Sequence, residues 1–221
     1  MLCRLAILAA SISALAFGAE RRIDVNTTEQ ADLAAGGTVN IVGSMGELNV
    51  EGWDKPTVEI EVNRYTWSDK PEKAKARLAE IQVKKSISGN ELTITTMHKR
   101  FTGAHVDYRI RIPRNAKLVV HQGMGAVTLY DLASDIDVNA KWGDIVVMLP
   151  EPARYEIEAK SKFGGVYSDF AAEPKHTTMF LGRRENVEPA GTGDTRHIHL
   201  TLDSGTITIQ KMSAPALLSS K

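Results

Sequence analysis

A two-residue apolar beat, repeated at an almost even interval, limits what this chain can fold into more than any other feature. Apolar residues at i and i+2 fall at Val39/Ile41, Leu48/Val50 and Val58/Ile60, then at Leu118/Val120, Val127/Leu129, Ile136/Val138, Ile145/Val147 and Tyr155/Ile157. Val166 continues the series, and Ile198/Leu200 and Ile207/Ile209 close it. Within each run neighbouring pairs lie nine or ten residues apart, with one step of eleven. Side chains alternate faces along a strand, so each pair marks one buried face of a short strand, with polar residues on the other. A glycine often stands two residues before the first apolar member, as Gly37, Gly46, Gly125, Gly143, Gly164 and Gly205 do. Glycine at a strand entrance admits backbone angles that other residues resist.

The glycine-led phrases recur at about eighteen to twenty-two residues where they are dense, at Gly125, Gly143 and Gly164. That spacing predicts two strands per repeat, one glycine-led and one of the kind seen in Asp135-Ile-Asp-Val-Asn or Arg154-Tyr-Glu-Ile-Glu. A single unit cannot bury its apolar face alone, but stacking successive units makes one continuous core and pairs their backbones. The expected fold is all-β, a short β-solenoid (β-helix) with two strands per coil. Short strands at regular spacing also suit a β-sandwich, which is the alternative.

One stretch breaks the rhythm. Ala74, Leu78 and Ile81 fall at i, i+4 and i+7, which predicts a short amphipathic helix over 70–81, with Asp69 and Glu72 as a capping box. Strands are expected at 22–27, where the first should cap the N-terminal end, and at 82–87, 91–97 and 106–112. Val106, Tyr108, Ile110 and Ile112 should point inward and Asp107, Arg109 and Arg111 outward. Residues 171–195, with Pro174, Pro189, Gly191 and Gly193 among them, predict a long irregular loop.

The N-terminus has the layout of a secretory signal peptide. A short basic start, Met1-Leu-Cys-Arg4, leads into an uncharged run from Leu5 to Phe17 and a small-residue exit. That run is shorter than the ~20 residues that span a bilayer. The expected organisation is a signal peptide at 1–18, a β-solenoid domain at 20–211 and a loose tail at 212–221. The expected location is periplasmic or extracellular, with no transmembrane segment in the mature chain. Cys3 is the sole cysteine, so the mature chain has no thiol nucleophile, disulfide or cysteine-ligated zinc. Lys+Arg and Asp+Glu both number 27, so no net field draws in nucleic acid.

Chemistry-bearing motifs are few, and no catalytic residue, metal site or cofactor is expected. His197 and His199 share one strand face without a further ligand at a diagnostic spacing. Asp135, Asp137 and Asp144 cluster near consecutive turns but lack the calcium-binding nonapeptide pattern. Glu59/Glu61 and Glu156/Glu158 read as outward residues of amphipathic strands. Trp53 and Trp142 sit beside turns, where they offer stacking surface to a sugar or a partner. These two tryptophans and the two histidines are the candidate binding residues.

The phrases Gly37-Thr-Val-Asn-Ile-Val-Gly, Gly46-Glu-Leu-Asn-Val-Glu-Gly-Trp-Asp and Val58-Glu-Ile-Glu-Val, the repeats over 123–170 and the closing Ser204-Gly-Thr-Ile-Thr-Ile resemble a bacterial family of exported putative adhesins. Those proteins are described as β-solenoids akin to the head domain of auto-transporter adhesins. The resemblance implies a non-catalytic binding or structural module of the cell envelope, whose partner is an envelope protein or a polysaccharide. The competing expectations are a polysaccharide-lyase-like β-helix enzyme and a periplasmic partner of an envelope-stress regulator.

Overall fold

The computed structural model describes residues 20–43, 45–97, 103–151, 153–170, 183–187 and 194–212. The expected signal peptide, the tail beyond Met212 and most of the expected loop at 171–195 lie outside them.

Among the described residues, sixteen strands and one helix follow each other along the chain. They are β1 (Arg21–Asp32), β2 (Thr38–Val42), β3 (Leu48–Trp53), β4 (Thr57–Ser68), α1 (Pro71–Ala79), β5 (Gln82–Ser88), β6 (Glu91–Met97), β7 (Ala104–Pro113) and β8 (Lys117–Met124). Then come β9 (Val127–Tyr130), β10 (Ile136–Trp142), β11 (Ile145–Pro150), β12 (Arg154–Phe163), β13 (Val166–Ser168), β14 (Arg183–Val187), β15 (Thr195–Ser204) and β16 (Ile207–Met212). The all-β expectation holds, with one short helix. β14, antiparallel to β12, stands where an irregular loop is expected.

The strands form two eight-stranded mixed sheets. The first runs β1-β4-β7-β3-β9-β11-β16-β13 and the second β14-β12-β15-β10-β8-β2-β6-β5. Their middles are parallel, and antiparallel pairs stand at the ends: β1 on β4 and β4 on β7, β5 on β6, and β14 on β12. All the apolar pairs of the beat are buried, none more than 3% exposed, and they merge into one core drawn from both sheets. In-register pairing sets apolar on apolar along each row: Leu118 beside Ile136 beside Ile198 beside Ile157, and Val127 beside Ile145 beside Ile207 beside Val166. Branched side chains stacked this way stabilise a sheet through their same-face contacts.

Neighbours in space are not always successive in the chain: two of the five junctions between units skip one, which corrects the expected stacking of successive units there. Among the described residues six strand–turn–strand units recur: β2–β3, β6–β7, β8–β9, β10–β11, β12–β13 and β15–β16. Both sheets place them in the order β6–β7, β2–β3, β8–β9, β10–β11, β15–β16, β12–β13. The last unit therefore sits between two earlier ones, and the first is flanked by the second and third. Every unit carries a buried apolar i, i+2 pair on its first strand, so any two can match as neighbours. The beat cannot rank them, and only the assembled edges can.

The helix is shorter than expected and capped differently. Lys70, extended at φ −120°, takes the N-cap position, and no side-chain cap forms, so the Asp69–Glu72 box is absent. Pro71 is the reason, because a residue before proline is pushed out of the helical region. Ser68 Oγ instead accepts from the Lys70 N–H at 3.1 Å. Ala74, Leu78 and Ile81 are buried as expected, and α1 packs on β4 and β1 at one end of the core. β1 runs longer than expected and forms the edge of the first sheet at that same end.

Candidate functional site

Among the described residues five units pass from the second sheet to the first through a corner led by a glycine of similar backbone angle. Gly46, Gly125, Gly143, Gly164 and Gly205 all have φ between 120° and 156°. The corners also press together. A Cβ on Gly125 would lie 2.0 Å from the Gly46 carbonyl oxygen, one on Gly143 2.3 Å from that of Gly125, one on Gly205 1.7 Å from that of Gly143, and one on Gly164 1.9 Å from that of Gly205. Backbone hydrogen bonds tie the column together: Gly125 N–H donates to the Trp142 carbonyl, Gly143 N–H to that of Ser204, and Gly205 N–H to that of Phe163. Two buried side chains complete it. Gln122 Nε2 donates to the Gly46 carbonyl at 2.7 Å, and Ser161 Oγ to that of Gly205 at 2.8 Å.

The column turns the residue before each glycine outward. Those residues are Met45, Met124, Trp142, Ser204 and Phe163, in register from rung to rung. Trp142 is 57% exposed, Phe163 53% and Met124 47%. Large apolar side chains are thus held in a line at solvent, on a backbone that cannot retreat. Rungs in a sheet lie about 4.8 Å apart, so the backbones at Trp142 and Phe163, two rungs apart, are spaced about 10 Å. Lys162 Nζ sits 5.3 Å from the Phe163 ring centroid. Met124 and Phe163 are absent from the sequence candidates. Their signal lay in the phrases already aligned on glycine, where the preceding position is bulky at Met45, Met124, Trp142 and Phe163.

The other candidates separate from this line. Trp53 is half-buried, and its indole N–H donates to the Thr57 carbonyl at 2.7 Å while Lys55 Nζ lies 4.7 Å from its ring. It pins the β3–β4 turn. Trp53→Phe should therefore lower stability by about 1 kcal/mol in thermal melts, the worth of one such hydrogen bond, whereas Trp142→Ala should stay within about 0.5 kcal/mol of the parent.

His197 and His199 face solvent on the second sheet. His197 Nδ1 lies 3.2 Å from Glu156 and His199 Nδ1 3.5 Å from Asp137, pairings across neighbouring strands that linear spacing hides. Among the described residues no group of three or more such side chains is placed to hold a metal ion.

The aspartates at the turns bind backbone. Asp135 accepts from the His197 N–H at 3.1 Å, Asp144 from Thr206 at 2.8 Å and Asp107 from Glu47 at 3.0 Å. Burial would raise the Asp135 carboxyl, but the His197 N–H and the Lys117 ammonium, 3.2 Å away, outweigh it and hold its pKa below the ordinary value. Glu59 and Glu61 lie 3.2 and 3.3 Å from the Arg111 guanidinium, with Glu51 at 3.7 Å. That ion-pair cluster takes up Glu59 and Glu61, while Glu156 pairs with His197.

The fold is similar to a solved one. A putative cell adhesion protein from Clostridium sporogenes aligns over 86% of this chain and 100% of its own, with a TM-score of 0.55 at 10% identity. Putative adhesins from Parabacteroides merdae and Bacteroides fragilis align over 85% of this chain at 9% and 10% identity, covering 96% and 97% of their own chains, with TM-scores of 0.28 and 0.27. The likeness of fold rests on the first. No protein-family model matches the chain, and no curated protein does either. No helix among the described residues is long and apolar enough to cross a membrane.

Proposed function

We propose that this chain is an exported, non-catalytic binding module of the bacterial envelope, wound as a short β-solenoid, and that it grips a polysaccharide along the corner row of Met124, Trp142 and Phe163. The winding is supported by the matching order of units in both sheets and by the glycine column that joins them. The adhesin-like role draws on the likeness of fold and on the sequence resemblance.

The observation that carries the binding surface is the in-register row Met124, Trp142, Ser204, Phe163, in which the thioether and both rings are exposed. A row one side chain wide is narrow for the apolar centre of a protein interface, which spreads over many residues. It suits a linear chain whose sugar rings present apolar faces to aromatic ones. The spacing of about 10 Å between the two aromatic rungs is the length of two sugar units laid along the stack.

The test is co-sedimentation of the mature chain with isolated envelope polysaccharide. The double variant Trp142→Ala/Phe163→Ala should bind at least tenfold more weakly with its melting temperature unchanged. Equal binding by parent and double variant removes the corner row from the function. Binding to envelope protein alone replaces the ligand class. Release of unsaturated product from an anionic polysaccharide overturns the non-catalytic reading.

A further inference from the structure

The first sheet ends in β1, twelve residues long and paired only with β4 among the described residues. A long open edge presents unpaired backbone groups to any other strand, and proteins commonly guard such edges with charge. β5, the neighbouring edge of the second sheet, would set Lys85 against Lys85 in full antiparallel overlap with a second copy of itself, each ion-paired with Glu29 of its own β1. At the far end of the first sheet the edge strand, β13, is three residues long.

β1 is arranged otherwise. Its solvent-facing row is Arg22, Asp24, Asn26, Thr28, Gln30 and Asp32, all exposed, with the cation at one end and an anion at the other. In an antiparallel pair of β1 strands about a two-fold at Thr27, Arg22 of each copy opposes Asp32 of the other. Asp24 then opposes Gln30 and Asn26 opposes Thr28, and no like charges meet. Shifting the two-fold to Asn26 sets Glu20 against Asp32, and shifting it to Thr28 sets Asp24 against Asp32. Arg22 is held within its own sheet, by Asp24 at 2.8 Å and over the ring of Tyr65 on β4 at 3.9 Å, and has to swing outward from there to meet Asp32 of the other copy. On the core-facing side the same two-fold sets Val25, 39% exposed, against Glu29 of the other copy.

We infer that β1 is a homodimerisation edge, which pairs antiparallel with β1 of a second copy and joins two first sheets into one. This interface lies apart from the corner row and does not depend on the proposed ligand.

The test is sedimentation equilibrium of the chain without residues 1–18, with two single variants. Arg22→Glu sets a carboxylate against Asp32 at both ends of its own dimer, and Asp32→Arg sets two cations together at both ends. Each should weaken self-association about tenfold or more, since two edge pairs change from attraction to repulsion at once. Mixed in equal amounts, the two variants restore opposite charges where they meet, and heterodimers should form more tightly than either variant pairs with itself. Circular dichroism melts of each variant show whether the monomer is intact. A parent that stays monomeric, a dimer that neither variant weakens, or weakened variants that fail to pair on mixing would each overturn the assignment.

Discussion

Gly143→Ala should lower stability by about 3 kcal/mol or more, with a fall of roughly 10 °C in melting temperature for a chain of this size. Two effects combine there. The backbone sits at φ 127°, which an L side chain rarely adopts, and the added methyl carbon would stand 2.3 Å from the Gly125 carbonyl oxygen. Neither contact partner can rotate away, because that carbonyl belongs to the backbone of the next rung. Gly36→Ala separates the two effects. Gly36 also has a positive φ, 69°, but nothing lies within 4 Å of its added Cβ. Its loss should stay near ~1 kcal/mol. Similar losses at both positions in denaturant or thermal unfolding would show that the rungs are not so tightly apposed.

Ending the chain at residue 194 should strip protection from β12 and β13 as well as removing β15 and β16. β12 has β15 as its parallel neighbour, and among the described residues β13 pairs with β16 alone. Removing the inserted unit also takes Ile198, Leu200, Leu202, Ile207 and Ile209 out of the core. At ~2 kcal/mol for each buried side chain this costs about 10 kcal/mol, comparable to the whole stability of a typical domain. Hydrogen exchange is the measurement: amides of 154–168 should exchange as fast as an open strand in the shortened chain. Protection persisting there would mean that β12–β13 can close directly onto β10–β11, as stacking in chain order would have it.

The proposed binding surface was half legible in the residues. Trp142 stood out as an aromatic beside a turn, but so did Trp53, which the fold spends on a hydrogen bond to the Thr57 carbonyl. The two differ in what the backbone around them does, and that is not written in local composition. The paired residues of His197 and His199 were likewise hidden, since Glu156 and Asp137 come from other strands. Asp135 and Asp144 looked like candidate ligands for a cation because their partners, backbone N–H groups sixty-two residues away, have no sequence signature.

What the sequence determined by itself was the periodic part. Alternation along each strand settles which side chain is buried, since a slip of one residue would turn the whole apolar set to water, and glycine at the corners settles where the chain can turn. Tertiary structure alone decided the order of the units, the charge-sorted open edge at β1 and the line of exposed rings along the corners. The physical reason is degeneracy: six units with the same beat are interchangeable as neighbours, so local pattern cannot choose among them. The choice is made by close packing at the corners and by which edges remain to be paired once the chain has folded.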